Sequence, residues 1–494
     1  MGPINDELGV EQGGPNSSEH YKVYNNEQMT VAQSSGFGTF IKNVHIAAIG
    51  QADDTALVAN DVNQLQHLLQ LSLDYCAKYQ VELSTVKTRL LAFHPKDSDY
   101  TNYVKLISPI HIGSDNIPFV DNAEHVGVLR SVTGNLPHIQ QRMVNHRKAL
   151  HGILFAGLSR RHRANPLSSI RADRIFGIPV LFSGLAALIL KKSEVDILNS
   201  HVKNILQGLL KLYPKTPEPV IFLVAGTLPG EAILHQKQLT LFDAITRLPN
   251  NVLHTVAKET LISAGDNDTS WFSQIRKLCY QYNLPHPLAL LHDPPSKDDY
   301  KRLIRANIAQ FWQEKLRGMI HRGEAGELTS LKYFKPEYMS VLRPHPILTT
   351  SGHAYDINKM IVQLRMLSGR YRVGSLLRHF STEHSGLCEL CGLEAEDIVH
   401  LLVPRCPKLL ERRSLLIEYT EGALRESQVC LNIFKNILES SQEQQVQFFL
   451  DCSVIPEVIQ AAQTDNSILT LLFRTTRTWC YSLHRTRLKI LGRW

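Results

Sequence analysis

The sequence predicts an α+β fold that is predominantly α, and three observations lead there. After Leu136, apolar residues recur at helical spacing over most of the chain. Before it, short apolar runs between turn residues read as strands around one amphipathic helix. Near the C-terminal end, residues 384 to 407 form a small Cys/His segment whose composition matches neither pattern. The expected divisions are 1–132 (α+β), 133–295 and 296–380 (helical), 381–410 (Cys/His) and 411–494 (a helical basic tail).

The first element of interest is "HIAAIGQADDTALVAND", residues 45 to 61, in which Asp53 and Asp54 sit between two apolar runs. The reading is strand, acidic turn, strand. A helix follows, because Leu65, Leu68, Leu69, Leu73 and Cys76 recur at helical spacing and Asp61 is a good N-cap. Next comes the β-rich run "VELSTVKTRLLAF" with Lys87 at its centre, and then "NAEHVGVLRS" as one short strand. The character changes from Leu136, and Ile139 to Arg161 reads as a helix with Ile139, Met143, Val144, Leu150 and Leu154 roughly on one side. Three further helical patterns follow, in "SEVDILNSHVKNILQGLLKLY", "GEAILHQKQLTLFDAITRL" and "DYKRLIRANIAQFWQEKLRGMI". Proline-rich breaks fall at "YPKTPEPV", "LPHPLALLHDPPSKDD" and "LRPHPIL", the last two read as joints. No internal repeat has a fixed period.

Composition excludes several classes. Of 494 residues, 43% are hydrophobic and 20% charged, which is core-forming material and not a disordered tail. The longest apolar stretch, around "GIPVLFSGLAALIL", is too short and interrupted to span a bilayer. "MGPINDELGV" has neither a basic start nor an apolar core, so secretion is not expected. Eight cysteines are scattered, and the three that cluster do so around a histidine. That favours a metal site over disulfides and a reducing compartment, nuclear or cytoplasmic.

Charge is distributed unevenly. The net charge is +7, yet the stretch from Arg130 to Arg174 holds nine Arg or Lys residues and a single acid, Asp173. The last 21 residues add six basic groups and no acid. Such concentrations point to a polyanion, most naturally nucleic acid, with Arg142, Arg147, Lys148, Arg160, Arg161 and Arg163 as candidate phosphate contacts. The segment "SRRHR" (159–163) is read as a nuclear-import signal or a phosphate-contacting loop. His45, His67 and His94 make no metal spacing, and Trp271, Trp312, Trp479 and Trp494 read as packing residues.

Two constellations carry chemistry. "CELCGLEAEDIVHLLVPRC" places Cys388 and Cys391 in a Cys-x-x-Cys knuckle with Gly392 at its turn, and Cys406 follows. Two thiolates on one knuckle plus a later Cys and a His close a tetrahedron around Zn²⁺, with His400 or His384 as the nitrogen ligand. Four protein ligands make such a site structural. The Asp53–Asp54 pair suits hard Mg²⁺ of the kind used in two-metal nucleotidyl transfer, although acidic pairs are also ordinary turn residues.

Four stretches in order, Gly9–Ser18, the Ala-Asp-Asp turn, "LSTVKT" and "EHVGVLRS", resemble the palm of a reverse transcriptase of the non-LTR, LINE type. The matching residues are Gly9, Gln12, Gly13 and Ser17, then Asp53 and Asp54, then Lys87 and Thr88, then Gly127. The resemblance runs through the helical region to the Cys/His segment and so covers most of the chain. It implies an incomplete palm over 1–132, a thumb over 133–295, a helical linker over 296–380, a Cys-Cys-His-Cys module over 381–410 and a helical tail. It implies RNA-directed DNA synthesis as the ancestral activity and an RNA–DNA primer–template as partner. Asp53 and Asp54 would bind catalytic Mg²⁺, Lys87 would sit at the nucleotide phosphates, and Gln12 and Gly13 would approach the template. The resemblance selects His400, with Cys388, Cys391 and Cys406, as the Zn²⁺ ligands. Gln51 stands where the family has an aromatic residue, and the family's other catalytic Asp and its fingers precede the Gln-Gly segment. The chain as given is therefore expected to bind nucleic acid without polymerising. The competing expectation is a non-enzymatic zinc-containing nucleic-acid-binding protein derived from such an element.

Overall fold

Helices form most of the chain in the computed structural model, which describes residues 16–51, 53–93, 110–155, 165–265, 268–323, 331–350, 355–379 and 384–493. The strands are few and short, so the α-dominant class holds. They make four separate two-stranded antiparallel hairpins, and no larger sheet forms among the described residues. Also among these residues, no helix is long and apolar enough to cross a membrane. Two compact units are present: 1–142 with 182–194 and 237–304, and 143–181 with 195–236 and 305–494.

In the first unit, Ala48–Gln51 pairs with Asp54–Leu57, Gln51 facing Asp54 across a two-residue loop. The helix Val62–Tyr79 follows, its first turn capped by the Asp61 carboxylate, which accepts the Gln64 N–H at 2.9 Å. Adjacent leucines of this helix serve two cores. Leu68 packs with Ala32 and Ala47, while Leu69 packs with Leu90, Ile110, Ile112 and Ile117. The acidic hairpin is thus seated on one side of a helix that is anchored on the other.

Two local expectations fail for physical reasons. The run from Val81 does not form a strand: the Ser84 carbonyl accepts N–H groups from both Lys87 and Thr88, closing a turn, and only Leu90 bridges, to Phe119. The stretch "NAEHVGVLRS" is a hairpin and not one strand, Asn122–His125 against Val128–Ser131. Its loop is Val126–Gly127, both at positive φ (50° and 70°), the conformation that a tight two-residue hairpin requires. The neighbouring His138 fixes this hairpin: its Nδ1 accepts the Leu129 N–H at 3.1 Å and its Nε2 donates to the Ser183 carbonyl at 3.2 Å.

In the second unit the segment Glu218–Ala225 is buried from Pro219 to Ala225, the signature of a helix apolar on every side. Gly226 ends it at φ +61°, with the Arg343–Pro344 backbone where a Cβ would stand. The "LRPHPIL" stretch is packed inside this unit, where the His345 N–H donates to the Val224 carbonyl and His345 Nε2 meets Asp451 at 3.0 Å. The helices Asp356–Leu367 and Ser467–Ile490 pack together, and Gln363 bonds the Phe449 carbonyl and the Thr476 hydroxyl. Trp312 and Trp479 are buried, Trp479 stacked on Phe449 at 4.2 Å between centroids. Trp494 and His94 lie outside the described residues.

On the helix Leu136–Phe155 the inward positions include His138, Ile139, His146 and Leu150, while Val144 faces out. His146 is satisfied on both nitrogens, by Asp173 Oδ1 at 2.7 Å and by His201 Nε2 at 2.9 Å. The carboxylate accepts from His146 Nε2–H, which leaves His146 Nδ1 to accept from His201. Burial, then His146 and Arg147, hold His201 down at about 4. His484, whose Nδ1 accepts a hydrogen bond from the Tyr371 hydroxyl at 2.6 Å, is likewise held at about 4 by burial and then by Arg487, Arg365 and Arg485. An unfolded histidine titrates near 6.5, so below that pH the unfolded chain takes up protons that the fold refuses. The stabilisation from both groups is complete above about pH 6.5 and lost toward about pH 4, roughly 3 kcal/mol per histidine. Urea unfolding at constant ionic strength is expected to show this fall between about pH 7 and about pH 4, and a shallower one in His201→Gln. Equal pH dependence in the two proteins would contradict it.

Candidate metal centre

The Cys/His segment builds its site from local backbone constraints. The Cys388 N–H donates to the Glu394 carbonyl at 2.8 Å and the Gly392 N–H returns to the Cys388 carbonyl at 2.7 Å. Gly392 holds φ +69°, the left-handed position that lets the knuckle turn back on itself. The short helix Ile398–Leu402 is capped by Asp397, whose carboxylate accepts the His400 N–H at 2.6 Å. That cap sets the imidazole facing the knuckle. Cys406 then leads through a short 3₁₀ turn into the helix Leu410–Leu424.

Cys388, Cys391, His400 and Cys406 bring their ligand atoms within 4.8 Å of one another, so together they can hold a metal ion. Cys388 and Cys406 sulfurs stand 4.0 Å apart, and Cys391 Sγ stands 3.4 Å from His400 Nε2. Metal–sulfur bonds of about 2.3 Å and metal–nitrogen bonds of about 2.0 Å at tetrahedral angles give edges of similar length. Nε2 faces the sulfurs, while the nearest charge to Nδ1 is the exposed Glu394 carboxylate at 3.4 Å. His384 is not part of the group.

The thiols differ in readiness. Burial pushes Cys388 up, and burial followed by the adjacent Cys388 pushes Cys406 up to about 12. Burial also acts to raise Cys391, but the Leu393 and Glu394 N–H groups and the neighbouring thiols outweigh it and leave it below its ordinary value. Cys391 is the least buried of the three and the first to offer a thiolate. A divalent ion with three thiolates carries a net negative charge, and a buried cation stands behind it. Arg413, 3% exposed, donates to the carbonyls of Cys406 (3.0 Å), His400 (3.0 Å) and Leu401 (2.9 Å).

The C-terminal helix clasps the same segment. Arg487 makes a two-pronged pair with Glu396 at 2.6 and 2.8 Å, and Glu396 also accepts the Gly374 N–H at 2.7 Å. Arg493 reaches Glu389, Trp479 Nε1 donates to the Leu402 carbonyl, and Arg412 donates to the Ser482 hydroxyl. The basic tail is therefore not uniformly an anion-facing surface. Arg477 and Arg487 are 1% and 4% exposed, and Arg477 bonds the Ile347 and Thr350 carbonyls. Sequence reasoning missed Arg413, Arg477 and Arg487 as structural cations. The only signal was Arg413 seven residues beyond Cys406 on the next helix.

The remaining predicted site residues are not gathered with this centre. Asp53 and Asp54 are exposed at the hairpin loop, and Lys87 is exposed in its turn. The cysteine–histidine group is the only cluster of three or more metal-ligating side chains among the described residues, so no third such group joins Asp53 and Asp54 there. Arg142 donates to the Gly127 carbonyl, whereas Arg147 and Lys148 are exposed. Gln12, Gly13, Arg160, Arg161 and Arg163 lie outside the described residues. No protein-family model matches the chain, and no curated protein matches it.

Removing one sulfur tests the centre directly. Purified, reduced protein is expected to carry about one equivalent of metal, and Cys391→Ser to lose it together with the order of residues 384 to 407. Because the thiols must give up protons to bind, retention should weaken on acidification. Metal-free wild-type protein by elemental analysis would contradict the assignment.

Proposed function

We propose that this chain derives from a non-LTR, LINE-type reverse transcriptase and is a zinc-containing scaffold that binds an RNA–DNA primer–template without polymerising. The metal-binding geometry of Cys388, Cys391, His400 and Cys406, at the place where that family carries its Cys-Cys-His-Cys element, supports this reading most strongly. Three thiolates and an imidazole suit Zn²⁺ in particular, with no open position for catalysis. The hairpin carrying Asp53 and Asp54 supports the same ancestry, since it offers two adjacent exposed carboxylates, one in its loop and one at the start of its second strand. Bound there, Mg²⁺ would neutralise phosphate oxygens, and Lys87 would serve the same end.

A specific observation favours the non-enzymatic alternative over activity in this chain. Two carboxylates from one loop cannot alone position two Mg²⁺ ions, and among the described residues no third joins them. Each 1.4 kcal/mol of lost transition-state stabilisation is about a factor of ten in rate. The chain is expected to bind duplex with an affinity that falls steeply with salt, by a slope of about 0.9 per phosphate contact on DNA. Arg147→Glu with Lys148→Glu should flatten that slope. No primer extension on an RNA template with Mg²⁺ or Mn²⁺ is expected. Extension that vanishes in Asp53→Ala would overturn the non-enzymatic reading, and failure to bind any nucleic acid would overturn both.

A further inference from the structure

We propose that a π-turn in the second unit forms a contact for unpaired, single-stranded nucleic acid, made by Arg171, Arg174, Phe176 and Arg305. The inference rests on the nucleic-acid-binding reading above and adds to it a strand type and a site. After the helix Pro166–Ala172, residues Asp173–Gly177 form a π-turn before the chain continues into Ile178–Leu181. A π-turn takes one residue more per turn than an α-helix and persists where something holds it.

Here the buried His146 holds it from both ends. Asp173 is fixed to His146 Nε2 at 2.7 Å, and Gly177 lies so close that a Cβ there would stand 2.6 Å from the same nitrogen. With Asp173 and Gly177 buried, the residues between them turn outward. Ile175 is 62% exposed and Phe176 54%, two large apolar side chains side by side in water.

Arg171 and Arg174 share this stretch of chain with Ile175 and Phe176. Arg174 is held in place by bonds to the Gly226 carbonyl at 2.9 Å and the Thr227 hydroxyl. Burial, then the charges of Arg305 and Arg171, pull its pKa down, so both of these cations act on Arg174. The acid acting on Arg174 is Asp173, and its carboxylate is already bonded to His146. Arg171 and Arg305 are exposed, and among the described residues neither has an ion-pair partner.

Guanidiniums match phosphate oxygens in geometry and charge, and an exposed aromatic face accepts a base in stacking. A duplex offers no free base face to Phe176, whereas an unpaired strand offers phosphates and bases together. That combination selects a single strand over a duplex, and over an acidic peptide, which has no comparable stacking surface.

The test uses the full chain and fluorescence anisotropy with a labelled oligo-uridine and a labelled abasic strand of equal length. Phe176→Ala is expected to weaken oligo-uridine binding by about tenfold and to leave the abasic strand nearly unchanged, while Phe176→Trp retains binding. Arg171→Gln and Arg305→Gln should weaken both strands, each lowering the salt slope by about 0.7. Thermal melts verify that these exposed substitutions leave the fold intact. Should Phe176→Ala lower the melting temperature, retention of binding in Phe176→Trp and its loss in Arg305→Gln decide in its place. Unchanged binding in Phe176→Ala, or equal loss on the abasic strand, would overturn the inference. So would poly-glutamate binding that drops as steeply in Phe176→Ala, which would mark a protein-binding face. Wild-type protein that binds duplex but no single strand overturns this inference alone, whereas protein that binds neither overturns the proposed function as well.

Discussion

A guanidinium cannot leave water unless fixed acceptors replace its hydration, and the second unit buries three of them. Arg413 is held by the carbonyls of Cys406, His400 and Leu401, Arg477 by those of Ile347 and Thr350, and Arg487 by the Glu396 carboxylate. Removing Glu396 from its buried pair with Arg487 costs about 3–5 kcal/mol, because the remaining charge is stranded. Arg477 and Arg487 therefore fix the spacing of chain segments far apart in sequence, while Arg413 fixes a local one. Arg487 and Glu396 are 91 residues apart, and Arg477 and Thr350 are 127 apart.

The metal centre depends on the same arrangement. A small Cys/His segment has too little apolar surface to fold by burial, and a metal ion normally supplies the missing free energy. Here the segment is also tied to the helix Ser467–Ile490 through Glu396, Glu389 and Leu402. A negatively charged metal–thiolate group in that position is offset by Arg413, bonded to the backbone of two ligands. The centre acts as a clasp for the C-terminal helix, which gives a structural reason for basic residues that composition alone would assign to a polyanion.

The parts of this structure legible in the sequence are those whose determinants are local. The Cys388–Cys391 knuckle, the Asp61 cap, the helix after it and the acidic hairpin each follow from residues within one or two turns. What was illegible depends on distant partners. The run around Lys87 has strand composition, yet a strand needs a neighbour, and the Ser84 carbonyl closes a turn instead. Val144 reads as inward from apolar spacing, yet the buried side of the helix carries His146, two residues on and nearly opposite, whose partners lie 27 and 55 residues away. The π-turn follows from that same pairing, so no local pattern announces it. Charge counts located the basic segments but not which cations are buried, since Arg477 and Arg474 look alike in sequence.

Hydrogen exchange of the full chain, with and without a metal chelator, tests most directly whether the metal centre and the C-terminal helix are one structural element. Chelation is expected to speed exchange in residues 384 to 407 and, with it, along Ser467–Ile490 around Trp479 and Arg487, while the helix Val62–Tyr79 stays as it was. Faster exchange confined to residues 384 to 407, with Ser467–Ile490 unchanged, would contradict the account.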